Sequence, residues 1–279
     1  MILRWHWPSS SSNRAHDPRV TAARHQPRKR FGQNFLVDRH YIDRIIAAVD
    51  PAPDDNVVEI GPGLGALTRP LLERVKRLAV IEIDRDLATR LSAEFSSDRL
   101  RMHNVDALTF DFATLGRELR VIGNLPYNIS SPMLFHLVQY EAKLRDVTVM
   151  LQREVVQRMA AAPATPDYGR LSVMLQTRFR VERLFIVPPG AFRPMPLVDS
   201  AIARLTPLER ARPKIDDEAL FARVVAAAFG QRRKTLKNAL KLLATEEELE
   251  REGIAPGVRG ETLAVSDFVR LANALARNL

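Results

Sequence analysis

Residues 56–65 read Asn56-Val57-Val58-Glu59-Ile60-Gly61-Pro62-Gly63-Leu64-Gly65, and this decapeptide determines the architecture expected of the 279-residue chain. Its β-branched first half predicts a buried strand, and its three glycines predict a tight loop. The apolar spacing of residues 66–75 predicts a helix directly afterwards. Glycines between a strand and a helix let the backbone approach a ligand closely. The decapeptide therefore predicts an α/β domain with a ligand at the carboxyl end of this strand.

Strand and helix patterns alternate on both sides of the decapeptide. Helices are expected at 38–49, 66–75, 87–95 and 131–140, and strands at 56–60, 78–83, 100–105, 119–122 and 147–151. Strands that alternate with helices of this length predict a doubly wound, parallel sheet of the α/β class. Two later strands, 181–187 and 201–205, flank a proline-rich loop. The segment Tyr168-Gly169-Arg170 is expected in a surface loop.

The rest of the chain divides into an N-terminal arm and a C-terminal helical region. Residues 206–213 read as a linker, and helical periodicity continues from Asp216 to the end. Residues 1–30 hold seven Arg and Lys against one acid, with serines at 9–12. Such a segment is an organelle transit peptide, a disordered basic arm or the product of a start codon placed too early. We favour a disordered arm over residues 1–27.

Composition excludes several kinds of chemistry. The chain has 42 Lys and Arg against 33 Asp and Glu, a net charge of +9 that suits a nucleic-acid partner. It has no cysteine, which rules out disulfides, cysteine-bound metal or iron–sulfur clusters and a thiolate nucleophile. Its six histidines lack metal-ligand spacing, so we predict no metal. Because no apolar run approaches the ~20 residues that span a bilayer, we also predict no membrane partner.

The tetrapeptide Asn124-Leu125-Pro126-Tyr127 follows the strand at 119–122. The Asn124 side-chain oxygen and the Leu125 carbonyl can each accept a hydrogen bond from one amino group, while Tyr127 stacks on the attached ring. These residues predict a pocket for the exocyclic amine of a flat base. Such a base must be unstacked, which favours a single-stranded or loop RNA, or a flipped base.

The glycine loop fits two classes of cofactor. Gly61-x-Gly63-x-x-Ala66 fits a dinucleotide fingerprint, whereas Gly61-x-Gly63-x-Gly65 after an acid is typical of S-adenosylmethionine enzymes. Glu82 ends the next strand and can accept both ribose hydroxyls, and Asp106 can accept from an adenine amino group. An amine pocket needs an alkyl donor rather than a hydride acceptor, so it favours S-adenosylmethionine.

Four motifs in this order resemble the small-subunit ribosomal RNA adenine dimethyltransferases. They are Arg28-Lys29-Arg30-Phe31-Gly32-Gln33-Asn34-Phe35-Leu36, the glycine loop, Asn124 to Tyr127, and Pro188-Pro189-x-Ala191-Phe192-x-Pro194. The resemblance runs from about Arg28 to the C-terminus. It implies a Rossmann-like class I S-adenosylmethionine-dependent methyltransferase domain at 28–206, with a small all-helical RNA-recognition domain at 207–279. It also implies N6,N6-dimethylation of two adjacent adenosines in the 3'-terminal hairpin loop of 16S rRNA, late in small-subunit biogenesis.

The resemblance also implies a role for each motif residue. Asn34 and Leu36 contact the methionine end of the cofactor, Glu82 the ribose and Asp106 the adenine. Asn124, Leu125 and Pro126 lie between cofactor and target, and Tyr127 and Phe192 sandwich the target base. The cofactor-binding residues expected in this way are Asn34, Leu36, Gly61, Gly63, Gly65, Glu82, Asp106 and Asn124. By the same resemblance we expect a cytoplasmic protein whose partner is the small ribosomal subunit. The sequence has no apolar stripe typical of an obligate dimer, so we expect a monomer.

Residues 221–245 carry basic side chains and no acid. Arg233, Lys237 and Lys241 recur every four residues, which predicts one basic face of a helix. RNA binding needs cationic contacts to phosphates, and the Arg28–Arg30 segment would extend the same track. The predicted RNA-binding residues are Arg28, Lys29, Arg30, Arg232, Arg233, Lys234, Lys237 and Lys241.

Two alternatives remain open. One is the related large-subunit adenine methyltransferase that confers macrolide resistance. By resemblance alone, the segment 229–235 and the proline-rich loop favour the small-subunit enzyme. The other is a ribosome-assembly or mitochondrial transcription factor on the same fold. The intact Asn124–Tyr127 motif argues against a protein that has lost its activity.

Overall fold

A computed structural model describes residues 34–208, 214–231 and 233–278. The predicted arm, Arg28, Lys29, Arg30 and Arg232 lie outside the described residues. The strands are β1 (Phe35–Leu36), β2 (Asn56–Ile60), β3 (Leu78–Ile81), β4 (Leu100–His103), β5 (Leu119–Asn124), β6 (Leu144–Gln152), β7 (Phe179–Val187), β8 (Phe192–Arg193) and β9 (Ser200–Pro207). The helices are α1 (Arg39–Val49), α2 (Thr68–Arg74), α3 (Arg85–Glu94), α4 (Ser130–Val138), α5 (Arg153–Met159), α6 (Arg170–Gln176), α7 (Glu218–Gly230), α8 (Leu236–Leu240), α9 (Glu246–Arg251) and α10 (Val265–Ala276).

Seven of the strands in the described residues form one sheet in the order β4-β3-β2-β5-β6-β9-β7. The first five of these are mutually parallel. β9 pairs antiparallel with both β6 and β7. The five strands that alternate with helices are thus parallel, as predicted, and the two later strands add an antiparallel edge. The connection between β7 and β9 carries a short 3₁₀ turn and β8 in place of a crossover helix, so the two strands pair antiparallel.

The two faces of the sheet are buried against different helices because successive strand residues point to opposite sides. On β2, Val57 joins the cluster that contains Ile45 of α1, and Val58 joins the cluster that contains Leu134 of α4. On the neighbouring strand β5, Val121 joins the cluster of Leu134 and Ile122 joins the cluster of Ile45. The near-continuous apolar runs of β2 and β5 thus reflect strands covered on both faces.

A buried guanidinium locks the amino-terminal edge of the sheet. Arg120 on β5 is only 6% exposed. It donates to the carboxylates of Asp146 (3.0 Å) and Asp55 (2.7 Å). It also donates to the carbonyls of Val49 (2.6 Å) and Asp50 (3.1 Å) at the end of α1. One side chain thereby ties β5 to β6 and to the α1–β2 connection.

The C-terminal helices surround a third apolar core, which also takes residues from the sheet domain. Tyr168 is fully buried in this core, beside Phe268 and Val224. Its hydroxyl donates to the Leu263 carbonyl at 3.0 Å. The expectation of a surface loop at Tyr168 is therefore wrong, and Arg170 begins α6. The tyrosine is buried because the helical region packs onto this segment, a tertiary contact that local sequence does not reveal.

The basic run does not form one helical face. Helix α7 ends at Gly230, and α8 is confined to Leu236–Leu240. Arg233 lies in the turn between them, and Lys241 is the C-terminal capping residue of α8. The chain turns here because Leu236 and Leu240 are both buried in the helical core, which sets the direction of α8. Among the described residues, the longest apolar helices fall short of what would cross a bilayer.

Candidate active site

A pocket opens at the carboxyl ends of β2, β3 and β5, where the strand order reverses. Ligands bind at such switch points because the loops that leave the strands diverge there. The structure brings together most of the expected site residues on the walls of this pocket: Asn34, Leu36, Gly61, Gly63, Glu82, Asp106, Asn124, Leu125, Pro126 and Tyr127.

Two of the three loop glycines line the pocket, with left-handed backbones at Gly61 (φ 67°) and Gly63 (φ 57°). A Cβ on Gly63 would lie 3.1 Å from the Phe35 ring, so a side chain there would crowd the pocket wall. Gly65 also has a positive φ, but a Cβ there would lie 2.8 Å from Leu91 of α3. The structure thus gives Gly65 a packing role, away from the pocket.

Glu82 closes the bottom of the glycine loop. One carboxylate oxygen accepts the backbone N–H of Asp84 at 2.8 Å, and the other accepts that of Gly63 at 3.2 Å. The side chain is 5% exposed, and burial raises the pKa of its carboxyl group. Each oxygen keeps a lone pair for a further donor. A diol at the pocket wall would satisfy both.

Glu59, the acid that precedes the glycine loop, lies close enough to Glu82 for the two charges to interact. Its side chain lines the pocket and is 2% exposed. It accepts a hydrogen bond from the Thr68 hydroxyl at 2.7 Å. Burial, reinforced by the nearby Glu82 charge, raises the pKa of the Glu59 carboxyl to about 8. The pocket floor therefore holds a carboxyl group that is partly protonated near neutral pH.

Asp106 stands at the outer end of the pocket, between apolar walls. Its carboxylate accepts the Leu108 backbone N–H at 2.9 Å, which leaves the second oxygen for a ligand amino group. Ile83 and Val105 line the same region and are 48% and 42% exposed. Apolar walls around a hydrogen-bond acceptor suit a flat heteroaromatic ring. Together with the two glutamates, this lining fits a cationic adenosyl cofactor.

Asn124 ends β5 with a fixed side-chain orientation. Its amide nitrogen donates to the Asn34 backbone carbonyl at 3.0 Å. The amide oxygen is consequently available as an acceptor. The Leu125 N–H is occupied by the Met150 carbonyl at 3.2 Å, which ties the residue to β6. The tetrapeptide thus presents acceptors, as an amine pocket requires.

Tyr127 follows in a 3₁₀ turn and is half-buried on the pocket wall. Its hydroxyl forms a 2.8 Å hydrogen bond with the Ser200 hydroxyl. Burial raises the pKa of the Tyr127 phenol, so the ring carries no charge at neutral pH.

Phe192 is not brought to the pocket. It is 1% exposed and packs in the core with Val187 and Ile202. Its backbone pairs with Leu36 in the small β1–β8 sheet, and this pairing accompanies the burial of the ring. The stacking role expected for Phe192 would require the ring to turn out of the core, and it stays a prediction.

The basic residues of the described C-terminal region do not line this pocket. Arg233, Lys234 and Lys241 are exposed. The Lys237 ammonium lies 3.3 Å from the Glu246 carboxylate. Glu246 is the residue directly after the segment 221–245, which contains no acid. Within the described residues, no group of three or more His, Asp or Glu side chains is placed to hold a metal ion.

Comparison with known proteins gives a consistent result. The family model "Ribosomal RNA adenine dimethylase" matches residues 24–277. Two relatives named Ribosomal RNA small subunit methyltransferase A are 60% identical (Aromatoleum aromaticum) and 56% identical (Thiobacillus denitrificans). Each match covers 90% of this chain, and the two cover 95% and 99% of those relatives.

Two solved structures share the fold. A dimethyladenosine transferase from Plasmodium falciparum has a TM-score of 0.74 and 25% identity, covering 85% of this chain and 95% of that one. The 23S rRNA methyltransferase ErmE has a TM-score of 0.66 and 31% identity, covering 87% of this chain and 100% of that one. The resemblance inferred from the motifs is thus confirmed, as is the α/β class I methyltransferase fold with C-terminal helices. The chain belongs to the ribosomal RNA adenine dimethylase family.

Proposed function

We propose that this chain transfers methyl groups from S-adenosylmethionine to N6 of two adjacent adenosines in the 3'-terminal hairpin loop of 16S rRNA, giving N6,N6-dimethyladenosine. One observation carries the proposal: the Asn34 carbonyl holds the Asn124 amide so that its oxygen can accept from an amine beside an acid-lined pocket. The small-subunit assignment is supported by relatives of that name at 60% and 56% identity.

Different residues of the pocket would contact different parts of the cofactor. Glu82 would accept the ribose hydroxyls, and Asp106 the adenine amino group. Asn34, Leu36 and Gly61 would surround the methionine end, with Gly63 holding Glu82 in place through its N–H. When bound, S-adenosylmethionine supplies an electrophilic methyl group on a sulfonium. Glu82 at the pocket floor offers negative charge that complements this cation.

Asn124 and Leu125 would prepare the nucleophile. The N6 lone pair of adenine is delocalised into the ring and attacks poorly. If the Asn124 oxygen and the Leu125 carbonyl each hold one N–H, the nitrogen is steered toward tetrahedral geometry, and its lone pair points along the line of transfer. The gain is one of positioning and preorganised electrostatics. A strong base is unnecessary because the methylated ammonium is itself very acidic. Pro126 shapes the turn, and Tyr127 stacks on the base.

The basic residues outside the pocket would bind RNA phosphates. Arg233, Lys234 and Lys241 are exposed. When such side chains bind phosphates, they release the counterions that were condensed on the RNA. The phosphate contacts predicted for Arg28, Lys29, Arg30 and Arg232 belong to the same proposal. Lys237 would also bind a phosphate, but the RNA would have to compete with the Glu246 carboxylate for it. We further propose that the protein works as a monomer on cytoplasmic small subunits late in their assembly.

The decisive experiment incubates unmethylated small subunits with isotope-labelled S-adenosylmethionine and maps the product by mass spectrometry. We expect label on two neighbouring adenosines near the 3' end of 16S rRNA. Large subunits serve as the comparison, because the likeness to ErmE makes 23S rRNA the second candidate substrate. Label confined to 23S rRNA would select that alternative. The absence of label in either subunit would contradict the enzymatic proposal and favour an assembly factor.

A further inference from the structure

The Tyr127 ring is tethered at its far end. Pro126 and the 3₁₀ turn over Tyr127–Ile129 define the backbone, but a half-buried tyrosine can still rotate about two side-chain bonds. The 2.8 Å bond between the Tyr127 and Ser200 hydroxyls joins the ring's outermost atom to a second element. A ring held at Cβ and at its hydroxyl keeps its long axis in one direction, because the side chain can no longer swing about its first side-chain bond. Stacking alone does not need a hydroxyl, so this bond points to a separate purpose.

Ser200 is a rigid anchor. It is completely buried and begins β9. This strand lies between β6 and β7, and Ser200 is registered with Gln152 on one side and Val187 on the other. The preceding residue is fixed as well, since the Asp199 carbonyl accepts the Arg153 N–H at 2.9 Å. The Ser200 hydroxyl is therefore held by the interior of the sheet rather than by a mobile loop.

We infer that Ser200 is a positioning residue for methyl transfer: through the Tyr127 hydroxyl it fixes the position of the ring on which the target adenine stacks. The inference rests on the proposed function. It assigns to β9 a part in the reaction that none of the four sequence motifs indicates. It also explains a tyrosine at position 127, because phenylalanine would supply the same stacking surface without the tether.

The expected effect falls on turnover rather than on binding. By the proposed function, phosphate contacts elsewhere hold the RNA and other residues hold the cofactor, so neither affinity depends on the position of this ring. A misaligned ring lowers the fraction of bound adenines that present N6 to the methyl group. Loss of one neutral hydrogen bond suggests a roughly two- to tenfold fall in kcat. KM for small subunits and the Kd of the cofactor should stay at their wild-type values.

The test is a double-mutant cycle of Ser200→Ala and Tyr127→Phe, with kcat and KM measured on small subunits and cofactor affinity measured by calorimetry. Both variants remove the same bond, so the double variant should be no slower than either single variant. Tyr127→Phe keeps the ring and alters a half-exposed position, which protects the test if Ser200→Ala folds poorly. Ser172→Ala is the matched control, since Ser172 is equally buried but bonds to the Arg158 carbonyl on α5. It should lower the melting temperature while kcat stays unchanged.

The outcomes separate the two proposals. Equal, non-additive losses in kcat with unchanged KM support the positioning role. Additive losses, or a Tyr127→Phe enzyme with wild-type kcat, overturn that role and leave the proposed function intact. If the wild-type chain transfers no methyl group to small subunits, the proposed function fails and the inference fails with it.

Discussion

At the scale of single residues, side chains that bind one another define the site as much as those that would touch the ligand. Asn124 is oriented by Asn34, and the glycine loop is held by Glu82. The types and order of these residues were predictable, because an amide at a strand end and an acid at the next strand end carry recognisable chemistry. The partner of each was not, since residues 34 and 124 meet only in the folded chain.

Removing the amide should separate chemistry from binding. We expect Asn124→Ala to abolish methyl transfer, because the acceptor for one N6 proton and the contact to Asn34 are both lost. Small-subunit affinity should persist, because the exposed basic residues lie outside the pocket. Transfer is measured with labelled cofactor and affinity by sedimentation. Gln139→Ala serves as control, since Gln139 is exposed at the C-terminal end of α4 and does not line the pocket. Normal turnover by Asn124→Ala would refute the amine grip.

Glu59 should make stability depend on pH. Its folded-state pKa of about 8 lies above the ordinary value of 4.5. Between these values the folded chain binds more protons than the unfolded chain, so its contribution is complete below about pH 4.5 and is lost as the pH rises through 8. We expect the free energy of unfolding of Glu59→Gln, relative to wild type, to increase from pH 5 to pH 9.

Urea unfolding at several pH values measures this difference. Glu73→Gln, which removes an exposed acid on the neighbouring α2, is the matched control and should parallel the wild type. A Glu59→Gln profile that also runs parallel to the wild type would contradict the assignment of a buried, protonated carboxyl group.

At the scale of elements, periodicity located the strands well but does not show how the last of them pair. The predicted strand at 56–60 coincides with β2, because a short β-branched run between a proline-rich turn and a glycine loop favours a strand over a helix. The antiparallel edge of β9 and β7 depends on a connection whose path is set by packing. Phe192 illustrates the same limit: a proline-rich loop suggests exposure, whereas pairing of β8 with β1 accompanies burial of the ring.

The basic run should bind RNA unevenly. We expect Arg233→Gln to weaken small-subunit binding and to reduce the dependence of log K on log salt by about one counterion. Lys237→Gln should cost less, because Glu246 at 3.3 Å already offsets the Lys237 charge. Cofactor affinity should not change in either variant. Binding is titrated at several salt concentrations, with Arg90→Gln on the exposed side of α3 as control. Equal losses at positions 233 and 237 would show that the ion pair does not matter.

At the scale of the whole molecule, the helical region and the sheet domain share one buried tyrosine. The boundary predicted near residue 207 follows the chain, but the helical core also includes Ala161, Tyr168 and Val173 from before that boundary. The backbone of Ala164 adds a 2.7 Å bond to the Glu261 carbonyl. The packing of one region on the other therefore involves residues from before the predicted boundary, which itself stays a prediction.

Tyr168 should carry much of this coupling. We expect Tyr168→Ala to lower the free energy of unfolding by about 3–5 kcal/mol, the usual range for loss of a buried aromatic ring. Tyr168→Phe keeps the ring and loses only the bond to Leu263, so it should cost about 1 kcal/mol. Denaturant unfolding followed by circular dichroism gives both values. A Tyr168→Ala midpoint equal to that of the wild type would mean that the two regions do not depend on this ring.

Arg120 and Asn124 lie on the same strand, four residues and about 13 Å apart. One end of β5 therefore lines the pocket, and the other carries the buried Arg120 cluster. Lysine cannot replace this arginine, because its three donors cannot reproduce contacts with two carboxylates and two carbonyls. Exchange of arginine for lysine at an exposed position should therefore cost little stability, whereas Arg120→Lys should loosen the strand that also carries Asn124.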